Sequence, residues 1–305
     1  MKGEKKMGPN DQEEKIELSP AGERQISEYS SLRLVLRKLR RQPIALIGVF
    51  MVIVATFLAL FAPILAPYDP QKIDLANRMI PPNSKHWLGT DQMGRDLLSR
   101  VLYGFRISLQ VGLGTAALSG CIGLVIGLIS GYFGGIIDEI LMRITDIILV
   151  IPSFFLYIVA AAMFEARGIG LIILIMGSIM WTMFARIVRS EVLSLKERVY
   201  VEAARMMGAS NIRILFRHIL PNSLASIIVV LVLRSGQAIL IEAGLSFLGL
   251  SDPSAITLGS MLAIAHATLR VAWWITTFPG LAIFWIVIGL NLMADGLRDA
   301  LDVRL

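Results

Sequence analysis

Six apolar blocks alternate with polar stretches along the 305 residues, near 44–66, 107–131, 139–163, 168–188, 223–247 and 272–295. The first, Ile44 to Ala66, runs 23 residues without a charge. A helix needs about 20 apolar residues to cross roughly 30 Å of hydrocarbon, so the pattern predicts an all-α polytopic membrane protein with six transmembrane helices. A separate unit, 1–43, precedes the membrane domain, 44–305. Residues 1–30 are polar and charged, with too little apolar surface to fold. Over 27–42, Leu32, Val35, Leu36 and Leu39 form one face, and Arg33, Arg37, Lys38, Arg40 and Arg41 cover much of the rest. That is the pattern of a basic helix lying on the membrane surface against its lipids. The tail is too long, and the apolar run too extended, for a cleaved signal peptide.

Two polar stretches interrupt the blocks. Residues 67–105 are rich in Pro, Asn and Asp and predict a loop. Residues 199–222 predict two short helices. The first runs from Val199 to Met207, with Tyr200, Ala203 and Met207 on one side and Glu202 and Arg205 a turn apart. Gly208 supplies the left-handed residue that closes it. Ser210 caps the second helix, whose apolar stripe is Ile212, Leu215, Phe216 and Ile219. Pro221 is expected to end that helix. On these residues alone the pair is either an ordinary loop or a docking element.

Composition agrees with the block pattern: 55% of residues are hydrophobic, mean hydropathy is +0.70 and 17% are charged. Three His and one Cys leave no room for a His/Cys metal cluster or a disulfide framework. The net charge of +6 is uneven. With the N-terminus inside, inner segments hold 20 Lys and Arg, outer segments hold eight, and Arg234 lies within a span. The bias puts both termini and the 199–222 pair in the cytoplasm, and it reports orientation, not nucleic-acid binding.

Within the spans, Gly123, Gly127 and Gly131 recur every fourth residue, a device for close helix packing within the chain or to a partner. Pro152 and Pro279 break spans three and six, as simple kinks or beside a pathway. Arg234 and Glu242 are expensive at membrane depth and lie eight residues apart. Both are candidates to line a substrate path, Arg234 drawing a carboxylate and Glu242 an amine, with the outer surface at the span exit as the alternative for Glu242. Asp146 has Arg143 as a ready partner one turn earlier. His86 is expected at the surface of the outer loop.

The 199–222 stretch carries a more specific pattern. Glu202-Ala203-Ala204, then Gly208, then Leu220-Pro221, resembles the EAA loop of ABC importer permeases, with His218 where the family often has Ile. The resemblance implies a coupling helix seated in a groove of an ATP-hydrolysing subunit, through Tyr200, Glu202, Ala203, Ala204, Arg205, Met207, Gly208, Ala209 and Ser210. Three more stretches are similar to the dipeptide/oligopeptide/nickel branch of that family. They are Leu88-Gly89-Thr90-Asp91 with Gly94-Arg95-Asp96, Ser99-Arg100 and Arg106; Ala243 to Gly249; and Asn291 to Asp302. The family's Pro-rich stretch with Trp-Gly is here the shorter SDPSAITLGSML.

This resemblance implies the ABC type I importer permease fold in a bacterial inner membrane. It also implies a second homologous permease subunit, two ATPase subunits that use ATP and Mg, and an outer solute-binding protein. Short peptides are the expected cargo, with nickel chelates and glutathione as alternatives. No Gly-Lys dipeptide exists, so this chain has no phosphate cradle of its own and is expected to bind no cofactor. A self-sufficient secondary transporter would instead show inverted repeats or several paired intramembrane charges, and neither is visible.

Overall fold

The computed structural model describes residues 42–164, 168–252, 254–265 and 268–301. The expected amphipathic helix, the polar tail and the last four residues lie outside these.

Among the described residues every regular element is helical, with one isolated β-bridge, Thr90 to Asp96. Helix α1 is Pro43–Leu60, extended by a short α2, Ala62–Leu65. Then come α3, Leu97–Phe133; α4, Gly135–Val150; α5, Ser153–Met163; and α6, Ile169–Lys196. The elbow contains α7, Val199–Met206, and α8, Asn211–Ile214. Helices α9, Leu220–Phe247, α10, Leu258–Ala265, and α11, Trp274–Leu301, complete the chain. Five helices are long and apolar enough to cross a membrane, and six spans result if α4 and α5 count as one broken span.

Helices α3 and α6 make the most extensive pairing in the bundle, and the glycine series explains it. A Cβ on Gly123 would lie 2.8 Å from the Trp181 carbonyl oxygen, and one on Gly127 would lie 2.7 Å from that of Ala185. The close approach is therefore made within this chain. It lets two backbones gain van der Waals contact where lipid offers no hydrophobic drive. Around this pair, α11 packs on α1 and α9. Gly48 meets the Met293 backbone, and Gly296 meets Ala45.

Several sequence expectations change. Helix α3 begins ten residues before the expected second span. Its first turns are polar, but Asp96 caps them, accepting from the Ser99 amide at 2.8 Å, and the preceding loop covers Ser99 and Arg100. Hydropathy cannot see a polar turn buried by protein. Pro152 does break the third apolar block: α4 and α5 meet at 82°. Pro279, by contrast, lies inside α11 near its start and leaves the helix continuous. Asp146 pairs not with Arg143 but with Arg186 of α6, because α4 lies along α6 and brings a guanidinium from another helix.

Candidate functional site

At the end where α3 and α6 finish, the chain forms an elbow. The Tyr132 hydroxyl ties it to the bundle, donating to Asn211 Oδ1 at 2.9 Å, and just ahead of it the Lys196 ammonium joins the ends of α6 and α3 by donating to the Gly131 carbonyl at 3.0 Å. Helix α7 is amphipathic. Val201 and Ala204 are buried, and they join Ile214, Leu215 and Ile219 against Leu128, Phe184, Val188 and Val192. Gly208 adopts φ +79° with open space around it. Its role is conformational: a side chain there would suffer the left-handed backbone, not a clash. Ser210 caps α8, its hydroxyl accepting from the Arg213 amide at 3.4 Å.

Pro221 does not end the second elbow helix. Residues 215–219 form a π segment, and the Leu220 amide donates to the Leu215 carbonyl five residues back. Pro221 then occupies the first turn of α9, where its missing N–H costs little. The Asn222 side chain donates to the His218 carbonyl at 2.6 Å. Asn211–Phe247 is thus one continuous helical run. The π segment also shifts the phase of the apolar stripe. Ile214, Leu215 and Ile219 are inside, whereas Ile212 and Phe216, expected inside, are exposed.

The outward side of the elbow is unusually apolar. Met206 is 86% exposed, Met207 82% and Ile212 70%, with Val199, Tyr200 and Phe216 also exposed. Glu202, Ala203, Arg205, Gly208 and Ser210 are exposed among them, Ala209 is half-buried, and Ala204 is buried. Burial raises the Tyr200 phenol above its ordinary range, against the opposing pull of Arg198. Of the nine residues singled out from the sequence, Ala204 and, in part, Ala209 serve the inward face. Sequence reasoning missed Val199 and Met206, whose signal was an apolar residue at a polar position of the α7 period, and Ile214, which only the π segment explains.

At membrane depth, Arg234 and Glu242 do not share one open face. Arg234 is partly exposed, and its guanidinium donates to Gln237 Oε1 at 2.5 Å. Glu242 is wholly enclosed, meets the Ser246 hydroxyl and has the Thr257 side chain close by. The turn after Phe247 folds α10 back along α9 and closes over it.

At the opposite end, residues 67–96 form a knot. Asp91 is buried and takes Arg95 at 2.6 Å and Arg100 at 3.7 Å. Asp96 accepts from Ser99 and meets His86 Nδ1 at 2.9 Å. His86 therefore does not stand at the surface: its ring also packs on Tyr68, and its side chain is 15% exposed. Thr90 accepts from the Ile80 amide and donates to the Asn77 carbonyl at 2.6 Å. The knot reaches the rest of the bundle as well: Gln92 donates to the Ile264 carbonyl at 2.6 Å, and the Trp274 indole to the Thr90 carbonyl at 3.2 Å.

Comparison with known proteins places this geometry. Residues 123–305 match the model of the binding-protein-dependent transport system inner membrane component. Residues 30–82 match the N-terminal TM domain of oligopeptide transport permease C. The chain is 39% identical over 288 residues to a dipeptide transport system permease protein of Alkalihalophilus pseudofirmus, covering 94% of both. It is 41% identical over 271 residues to a glutathione transport system permease protein of Pectobacterium atrosepticum, covering 88% of this chain and 90% of that one. It is 39% identical over 269 residues to an oligopeptide transport system permease protein of Bacillus subtilis, covering 88% of each.

Proposed function

Because the chain belongs to the binding-protein-dependent transport system inner membrane component family, we propose that it forms half of the translocation path of an ATP-driven importer of short peptides. The observation that carries the coupling step is the elbow. A folded bundle leaves Val199, Tyr200, Met206, Met207, Ile212 and Phe216 bare around Glu202 and Arg205. Contiguous exposed apolar residues rimmed by charge mark an interaction surface. The partner is an ATPase subunit on the cytoplasmic side, one of two that use ATP and Mg, while this chain binds neither. Gly208 sets the angle between α7 and α8, so Tyr200 to Ser210 present one convex surface to a groove.

The remaining parts follow from this reading. A second, homologous permease subunit completes the path. A solute-binding protein delivers cargo at the knot end, which faces away from the cytoplasm of a bacterial inner membrane. Both termini are cytoplasmic on this reading. ATP binding closes the ATPases, and the elbow passes their movement to α9. A conformational change of this kind requires that the two states differ in their contacts with the ATPase. Along α9, Arg234 with Gln237 offers a donor pair to a peptide carboxylate. Glu242 is too enclosed to offer an amine contact.

Purification of the complex through this chain tests the assembly: two ATPases and a second permease should co-purify in stoichiometric amounts. Uptake of labelled dipeptide into vesicles containing that complex, with its binding protein and ATP, should exceed uptake without ATP. Competition by glutathione, named for one relative, or by a nickel chelate would reassign the cargo. The Arg234→Ala variant should lower uptake about tenfold with assembly unchanged. Unchanged uptake would make Arg234 structural or lipid-directed.

A further inference from the structure

The carboxyl of Glu242 has no part in the path described above. It lies on α9 at 0% exposure, and among the described residues no lysine or arginine pairs with it. The charged residues flanking it in the sequence are already engaged. Arg234, about two turns earlier, is bonded to Gln237, and Asp252, beyond the following turn, accepts from Ser254. One carboxyl oxygen meets the Ser246 hydroxyl, while the other, Oε2, is buried with no hydrogen-bond partner; the nearby Thr257 hydroxyl, just before α10, accepts from the Ser260 amide at 3.0 Å. The Ser246 hydroxyl also lies 2.7 Å from that of Ser251.

A hydroxyl has one proton, so Ser246 cannot donate to both neighbours. Two directions remain. Either Ser251 donates to Ser246 and Ser246 donates to an ionised Glu242, or Glu242 itself donates to Ser246 and Ser246 to Ser251. The first leaves a buried anion with no cation and one bare charged oxygen, among the most costly arrangements a protein can hold. The second leaves only a neutral carbonyl oxygen unbonded, a much smaller loss.

The chain of hydroxyls spans the end of α9 and the turn that follows. Helix α10 then returns along α9 at backbone contact: a Cβ on Gly259 would lie 2.4 Å from the Ala243 carbonyl oxygen. The other end of α10 is held by Gln92, which donates to the Ile264 carbonyl at 2.6 Å and to Thr268 at 3.0 Å.

We propose that Glu242 is a positioning residue that stays protonated, donating through Ser246 to Ser251, and so latches the α9–α10 hairpin shut at the knot end of the bundle. The required group is a neutral donor, not a charge. Glutamine keeps such a donor and alanine does not.

The test uses the complete transporter, purified through this chain and held in lipid nanodiscs. Glu242→Gln should keep amide exchange over 248–265 within about twofold of the parent, and Glu242→Ala should speed it about tenfold. The parent should also show the infrared carbonyl stretch of a protonated carboxyl that is missing from Glu242→Gln. Fast exchange in both variants, or no such band, would overturn the proposal. If Glu242→Ala disrupts assembly, Ser246→Ala removes the same link with the carboxyl kept, and unchanged exchange there would also overturn it. Neither measurement depends on cargo, so a failure of the peptide reading leaves this result standing.

Discussion

The two polar ends of the bundle are built in opposite ways. The knot at 67–96 turns one set of charges inward: Asp91 holds two arginines, Asp96 holds a helix cap and a histidine, and Thr90 is bonded on both sides. The elbow at 199–216 turns methionines, a tyrosine and a phenylalanine outward and is tied to the bundle by the Tyr132–Asn211 bond. The knot pairs its buried carboxylates within the chain, although Ile73, Leu75 and Trp87 stand exposed on it. The elbow leaves apolar area that only another molecule would bury. Polar composition therefore says little about which end meets a partner, and the fate of its side chains says more.

Substitutions can break or sharpen this contrast. The largest effect is expected at Asp91. Asp91→Ala strands two buried guanidiniums, and removing one member of a buried charge cluster costs about 3–5 kcal/mol. The thermal unfolding temperature and yield of the purified complex should both fall. A wild-type melting curve would mean the knot is ornamental.

Next comes Met206→Gln with Met207→Gln. Losing two apolar anchors should weaken ATPase co-purification by tenfold or more, from roughly 1.5–3 kcal/mol per fully buried methionine. The permease should melt as before. Parallel loss of folding would show that this face is internal and collapse the contrast.

Gly208→Val should act more gently. It forces a β-branched residue into the left-handed region at about 1–3 kcal/mol. Uptake and stimulated ATP hydrolysis should uncouple while the bundle stays folded, and normal uptake would show that this angle is not used. Smallest is His86→Ala, which removes one hydrogen bond to Asp96 and a ring contact, for about 1 kcal/mol. A slightly lower unfolding temperature with full uptake is expected.

Much of this was legible in the sequence, and the failures share a cause. The apolar blocks, the Gly208 turn and the Ser210 cap are local signals, and they appear where local physics puts them. Pro221 misled because a proline reads as a stop unless a π segment ahead of it absorbs the missing donor. The same segment turned Ile212 and Phe216 outward. The early start of α3 and the enclosure of His86 depend on residues far away in the chain covering polar atoms. The setting of Glu242 depends on a hairpin closing over it, which spacing from Arg234 does not encode.

The unbroken run Asn211–Phe247 has a mechanical consequence. Its 37 residues make a rod of about 55 Å, and Arg234 lies about 20 Å along it from Pro221. A tilt of about 10° pivoting near the proline would carry that guanidinium sideways by roughly 3.5 Å, about the width of a water molecule. The rod has a single turn of looser winding at 215–219 and no other slack. Stroke at the far end thus follows from the tilt, and lengthening the rod there by one residue would rotate Arg234 by about 100° and advance it by about 1.5 Å.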